Sequence, residues 1–279
     1  MDRSHYQITI ALIYACALFL DRLDLTIVNV TLPTVATYFH VTMTATDWIS
    51  IAFLLALAVS IPISSWLGER FGNKKIYIIA MLIFGLGSTL CLFVHSLSLL
   101  IILRWLQGIG GGLLIPVGMT MLYRIYDKTE YASITSYTFL PSLVAPAIGP
   151  LIGGVILQAY DWRLVYALSG PIALLLAFFA MWAIKSDEPN TNVKPLDWIG
   201  LILCSAFLMD TFWLLSWVRN DHINIDFLVQ ILTPALILAL FIEWEQRCEH
   251  PLFNLSFFKQ ANFVKANLLQ FCFQACHFV

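Results

Sequence analysis

Residues 99–123 read LLIILRWLQGIGGGLLIPVGMTMLY, twenty-five residues with a single charge, Arg104. At 1.5 Å per residue such a helix is roughly 38 Å long, enough to cross the ~30 Å hydrocarbon core of a bilayer. It is apolar on every side rather than along one stripe, which suits burial in lipid and not the surface of a soluble domain. Runs of comparable length recur at 8–31, 48–67, 76–95, 132–158, 163–184, 196–217 and 226–244. With 99–123 they make eight spans, and a ninth run that begins near Phe263 is still apolar when the chain stops at Val279. The expectation is an all-α polytopic membrane protein that ends partway through a ninth span.

Composition agrees. Of the 279 residues 60% are hydrophobic and 11% charged, with a mean hydropathy of +0.83, whereas a soluble domain carries about 25% charged residues. A net charge of −2 without a basic tract or zinc-finger spacing gives no reason to expect nucleic acid as a partner. The partner implied is the lipid bilayer. Five of the six cysteines fall in apolar segments, where Cys acts as a small hydrophobe. Cys272, Cys276 and His277 lie close together but have no carboxylate or further His to complete a ligand set. Neither a metal nor a cofactor is expected. The protein is not expected to be an enzyme, since Ser169-Gly170 has no partner His on another span at a matching depth.

The first run is too long for a signal-peptide core and contains Asp21, Arg22 and Asp24, so it stays in the membrane. With the amino terminus in the cytoplasm, inner loops and ends hold eleven basic residues and outer loops only Arg163 and Arg219. That asymmetry fixes the orientation. Arg22 and Arg104 remain inside spans, where a charge costs about 2.5–3.5 kcal/mol on insertion scales.

Span 1 runs outward and span 4 inward, which puts Asp24 and Arg104 each roughly 8–10 Å from the outer surface. Asp210 in span 7 falls at a similar depth. A carboxylate near an arginine in such a layer can load or release a proton as geometry changes. The alternative is an ion pair that only fixes helix register. Asp21, three residues before Asp24, shares its helix face and could draw in a cationic substrate; Arg22 points elsewhere.

Four stretches then carry a resemblance: Leu23–Pro33 (LDLTIVNVTLP), Gly68–Lys75 (GERFGNKK), Arg104–Gly110 (RWLQGIG) and Gly149–Gly154 (GPLIGG). In that order, and on those spans, they resemble the major facilitator superfamily, and the first and last together its fourteen-span drug:proton antiporter branch, the EmrB/QacA-type exporters. The resemblance implies proton coupling by Asp24 and Arg104; Asp21 and Asp210, singled out by helix face and depth, are further candidate substrate or proton groups. It implies a conformational latch at Glu69, Arg70, Gly72 and Lys74 in the loop between spans 2 and 3, although Glu69 replaces the usual aspartate, Asn73 an arginine and Ser65 a glycine. It implies an antiporter motif at Gly149, Pro150, Gly153 and Gly154, where Ala145, Gly149 and Gly153 also form a small-residue stripe for helix packing.

The expected layout is a six-span bundle over 1–184, a cytoplasmic linker at 185–195, two added spans over 196–244, a cytoplasmic loop at 245–262 and the start of a ninth span at 263–279. The expected activity is proton-coupled efflux of amphipathic or cationic small molecules from a bacterial inner membrane. The alternative is a non-transporting remnant, or a partner bound to a second copy or another membrane protein, because this chain contains only the first of the two bundles such carriers use.

Overall fold

The computed structural model describes residues 3–187, 190, 193–218, 225–249, 251–253, 255–261 and 263–269. Among these the regular elements are helices, with no strand. Helix α1 (Arg3–Ile27) passes through a 3-10 turn (Val28–Thr31) into α2 (Leu32–Phe39), followed by α3 (Met43–Phe71), α4 (Asn73–Leu90), α5 (Leu97–Ile125), α6 (Tyr131–Ala159), α7 (Arg163–Ala167), α8 (Ser169–Ala183), α9 (Trp198–Val218) and α10 (Ile225–Arg247). Five stretches are long and apolar enough to cross a membrane: Met43–Phe71, Asn73–Phe93, Leu97–Ile125, Lys128–Ala159 and Arg163–Ala183. Helix α1 matches them in length and carries three charges near its C-terminal end, Asp21, Arg22 and Asp24. The described apolar part of α9 is shorter, Trp198–Leu214. The ninth run, with Cys272, Cys276 and His277, lies mostly outside the described residues.

Local chemistry sets several boundaries. Helices α3 and α5 start where the hydroxyls of Thr42 and Ser96 accept the backbone N–H of Ala45 and Leu99, both at 3.3 Å. The first run was expected to end at residue 31, yet helix resumes to Phe39. Pro33 falls in the first turn of α2, where a missing N–H leaves nothing unpaired. Helix α6 runs unbroken through Pro141, Pro146 and Pro150.

The described chain forms two compact units, residues 1–193 and 194–279. In the first, α5 packs between α3 and α4, α4 also packs on α8, and α1 lies along α6 while touching α5 and α8. One apolar cluster centres on Tyr14, Phe53, Tyr77, Phe84 and Leu114, a second on Ile27, Ile49, Leu100, Trp162 and Tyr166. Lipid tails are as apolar as leucine, so close packing and interhelical hydrogen bonds, rather than escape from water, hold these helices together. Glycines on α5 permit that closeness: a Cβ on Gly112 would lie 2.8 Å from Cβ of Ser60, on α3. In the second unit, α9 packs on α10, and the Asp197 carboxylate accepts the Gly200 N–H at 2.9 Å and the Trp244 indole N–H at 3.0 Å.

Candidate functional site

The two largest anomalies of the apolar runs meet. The Arg104 guanidinium, on α5, forms an ion pair with the Asp24 carboxylate, on α1, and each residue is 1% exposed. Arg104 also donates to Oε1 of Gln107, one turn along α5, at 2.8 Å. Gln107 in turn donates through Nε2 to Oδ1 of Asp24 at 2.9 Å, and the Ser169 hydroxyl at the start of α8 donates to the same oxygen at 2.9 Å. One carboxylate thus joins α1, α5 and α8. The guanidinium carbon lies 4.3 Å from the centroid of the Phe53 ring on α3, a cation–π contact that adds a fourth helix. The Ser169 hydroxyl further lies 3.0 Å from that of Ser88, which donates to the Tyr166 carbonyl at 2.7 Å. Nε of Arg104 has no hydrogen-bond partner among the described residues.

Asp21 does not join this network. It is 1% exposed, and neither carboxylate oxygen has a hydrogen-bond partner among the described residues. It faces α5 at Gly111, where an added Cβ would sit 2.6 Å from its Oδ1. An ionised carboxylate buried without a partner is costly. Buried this way, Asp21 presents no charge to the open side of α1. Asp210 belongs to α9 in the second unit; it is partly buried, and its Oδ2 lacks a hydrogen-bond partner among the described residues.

The Gly68–Lys75 stretch is not a loop. Gly68–Phe71 is the last turn of α3 and Asn73–Lys75 the first turn of α4, and the chain reverses at Gly72 alone, with φ of +91°. Only glycine adopts that backbone cheaply. Glu69 and Arg70 are exposed, and the Arg70 guanidinium rests over the rings of Trp66 and Phe71, its own neighbours. The charge that binds this turn is Asp187, which follows α8. Its carboxylate accepts the backbone N–H of Asn73 at 2.7 Å, the Asn73 amide at 2.9 Å and the Lys74 backbone N–H at 3.0 Å, and lies 3.3 Å from Arg124. Burial pushes the Asp187 carboxyl up, but the hydrogen bonds from Lys74 and Asn73 outweigh it and hold the group below the usual carboxylate range. Asn73, which departs from the superfamily pattern, is one of the donors.

On α6, Ala145, Gly149 and Gly153 are buried. The latter two face α1: a Cβ on Gly149 would lie 3.2 Å from the Ile27 nitrogen and one on Gly153 3.0 Å from Cγ1 of Ile27. Pro150 is exposed, and a Cβ on Gly154 would meet nothing within 4 Å. The sequence reading considered Ser169 only as a nucleophile and gave no sign of its bond to Asp24 or of the role of Asp187. A hydroxyl in an apolar helix usually turns to its own carbonyls, and an aspartate in a polar linker looks like any solvated charge, so neither carried a signal.

Long apolar helices packed around a buried ion pair define an α-helical integral membrane protein. Residues 14–259 match the Major Facilitator Superfamily, and the chain belongs to that family. It is 31% identical over 251 residues to the multidrug resistance protein B homolog of Mycobacterium tuberculosis, covering 88% of this chain and 46% of that protein. It is 30% identical over 263 residues to the multidrug export protein EmrB of Escherichia coli, covering 91% of this chain and 50% of that protein. The chain therefore spans about half the length of the curated relatives it matches. Among solved structures, the proton:xylose symporter XylE superposes with a TM-score of 0.59 at 13% identity, over 88% of this chain and 55% of that one, a likeness of fold. Members of the family carry small molecules, often with protons.

Proposed function

We propose that this protein exports amphipathic small molecules, drugs among them, in exchange for protons, and that Asp24 is the group on which the exchange turns. The observation that carries the reading is the buried Asp24–Arg104 pair with its donors Gln107 and Ser169; the names of the export relatives support the direction of transport. Ionised, Asp24 holds α1, α5 and α8 together. A proton on Asp24 cancels the charge that faces Arg104 and converts an acceptor into a donor. Arg104 retains Gln107 and the Phe53 ring, but the tie across the three helices weakens, and a substrate that prefers the loosened arrangement shifts the balance between states.

Asp21 is a second proton group in this reading, and Asp210 a further substrate or proton group. Gly149, Pro150, Gly153 and Gly154 act as the antiporter motif, in which Gly149 and Gly153 let α1 and α6 stay close. Glu69, Arg70, Gly72 and Lys74 act as the latch, with Asp187 as the anion that closes it. The amino terminus is cytoplasmic and the membrane is the bacterial inner membrane. A carrier of this kind works between two facing bundles, and a second copy or another membrane protein is a candidate partner for this one. In inverted vesicles with an acidified lumen, amphipathic compounds should drive proton release that is lost in Asp24→Asn protein inserted at normal levels. Release that persists in the variant overturns the reading.

A further inference from the structure

In the unit of residues 1–193, four charged groups interrupt the apolar interior of a helix: Asp21, Arg22, Asp24 and Arg104. Three are 1% exposed, and only Arg22 is open. Arg22 has no part in the ion pairs Asp24–Arg104, Asp187–Arg124, Asp161–Arg163 and Glu243–Arg247. It lies nine residues before Thr31, roughly 14 Å along the helix axis. An arginine inside a span faces a bundle interior or a water-filled cavity, because lipid penalises it. Arg22 therefore marks the side of α1 that borders water.

That side has an amphipathic layout. At 100° per residue, Ile8, Leu12, Phe19, Arg22, Thr26 and Asn29 fall within about 100° of one another on the helix. Ile8 and Leu12 are 52% and 59% exposed; Asn29 is exposed, and Phe19 and Thr26 are half-buried. The polar residues occupy one end of the strip and the apolar ones the other. The carboxylates of α1 at this depth, Asp21 and Asp24, are buried and do not open onto the strip.

We infer that Arg22 is a recognition site for the negative group of an amphipathic anion, a carboxylate above all, whose apolar body starts against Phe19, about one turn away, and runs along α1 toward Leu12. The inference rests on the export reading and narrows it: the expected preference for cations gives way to one for anions. The guanidinium fork fits a carboxylate through two parallel hydrogen bonds, a fit that lysine's point charge only partly reproduces. An anionic lipid headgroup offers the same chemistry, so the test has to separate the two sources.

The chain in phosphatidylcholine nanodiscs is titrated with radiolabelled 1-naphthaleneacetate and challenged with unlabelled 1-naphthaleneacetamide and 1-naphthylmethylammonium. The expected result is binding of the acid about 10- to 100-fold tighter than that of the amide, the worth of a hydrogen bond to a charged group. Arg22→Gln, an exposed change that removes no packing, should abolish that preference, and Arg22→Lys should keep part of it. Equal affinity for acid and amide, a preference for the ammonium, or an acid preference intact in Arg22→Gln overturns the inference. Loss of acid binding as phosphatidylglycerol replaces phosphatidylcholine keeps an anion site but gives it to lipid, which overturns the substrate assignment. The export reading is scored separately by proton release in vesicles. Proton release driven by the ammonium and not by the acid sinks the anion inference alone, whereas an Arg22-dependent acid preference without proton release sinks the export reading alone.

Discussion

Replacing Asp24 with asparagine keeps shape and an acceptor oxygen for Gln107 and Ser169 but leaves Arg104 buried without its counter-charge. Removing one partner of a buried ion pair costs about 3–5 kcal/mol, because the remaining charge is stranded. The Phe53 ring stays 4.3 Å from the guanidinium in the variant, and a desolvated cation–π contact contributes about 2 kcal/mol, so the loss should fall at the low end, near 3 kcal/mol. Arg104→Gln strands the Asp24 carboxylate and should cost at least as much. The double variant carries two neutral amides that can hydrogen-bond to each other, and it should be more stable than either single variant. The coupling energy would then be about 3 kcal/mol or more, well above the 0.5 kcal/mol within which independent sites add. Circular-dichroism melting of purified protein in one detergent at one pH supplies the cycle, with single-variant shifts of roughly 6–12 °C. The double variant should melt near wild type yet release no protons with substrate. Additive losses, or an Asp24→Asn protein that melts like wild type, would refute the coupling.

Other substitutions test the remaining contacts. Asp187→Ala removes the acceptor for three donors at the start of α4 and should cost about 0.5–2 kcal/mol, as lost helix caps do; half-exposed Arg124 adds little. Because the folded Asp187 carboxyl sits below its unfolded value, the unfolded chain takes up the proton first as pH falls. The contribution is complete above about pH 4 and is lost as pH drops through the folded pKa, so melting curves of wild type and Asp187→Asn should converge on acidification and separate again toward neutrality. Gly72→Ala puts a side chain at φ of +91° with the Asp187 carbonyl 3.3 Å from the new Cβ and should cost on the order of 1–3 kcal/mol; melting like wild type would be inconsistent with this turn. Gly149→Val drives its side chain into Thr26 and Ile27, an overpacking of about 1–3 kcal/mol, and a crosslink between α1 and α6 should form more slowly in the variant.

The membrane helices and the Asp24–Arg104 pair were legible in the sequence for one reason: a charge in an apolar run is expensive, so it announces both its depth and its need for a partner. Depth matched two such charges across 80 residues of chain. The same logic placed Asp21 and Arg22 on different sides of α1 but could not tell the buried side from the open one, since that depends on where α5 lies. Loops were less legible. The Gly68–Lys75 stretch looked like a connection because it is charged, whereas its charges decorate two helix ends joined by Gly72. Residues with ordinary local roles, such as Ser169 and Asp187, become visible only when chain separated by 145 and 114 residues comes together.

The Asp24–Arg104 pair also sets how the bundle behaves in an electric field. A charge and its opposite side by side carry no net monopole, so a voltage across the membrane exerts almost no force on the unprotonated pair. One proton on Asp24 leaves a single positive charge at the same depth, and a full elementary charge moved across 100 mV is worth about 2.3 kcal/mol. Under the proton-exchange proposal the pair would be a conditional voltage sensor, blind to the field when empty and subject to it once the proton is aboard.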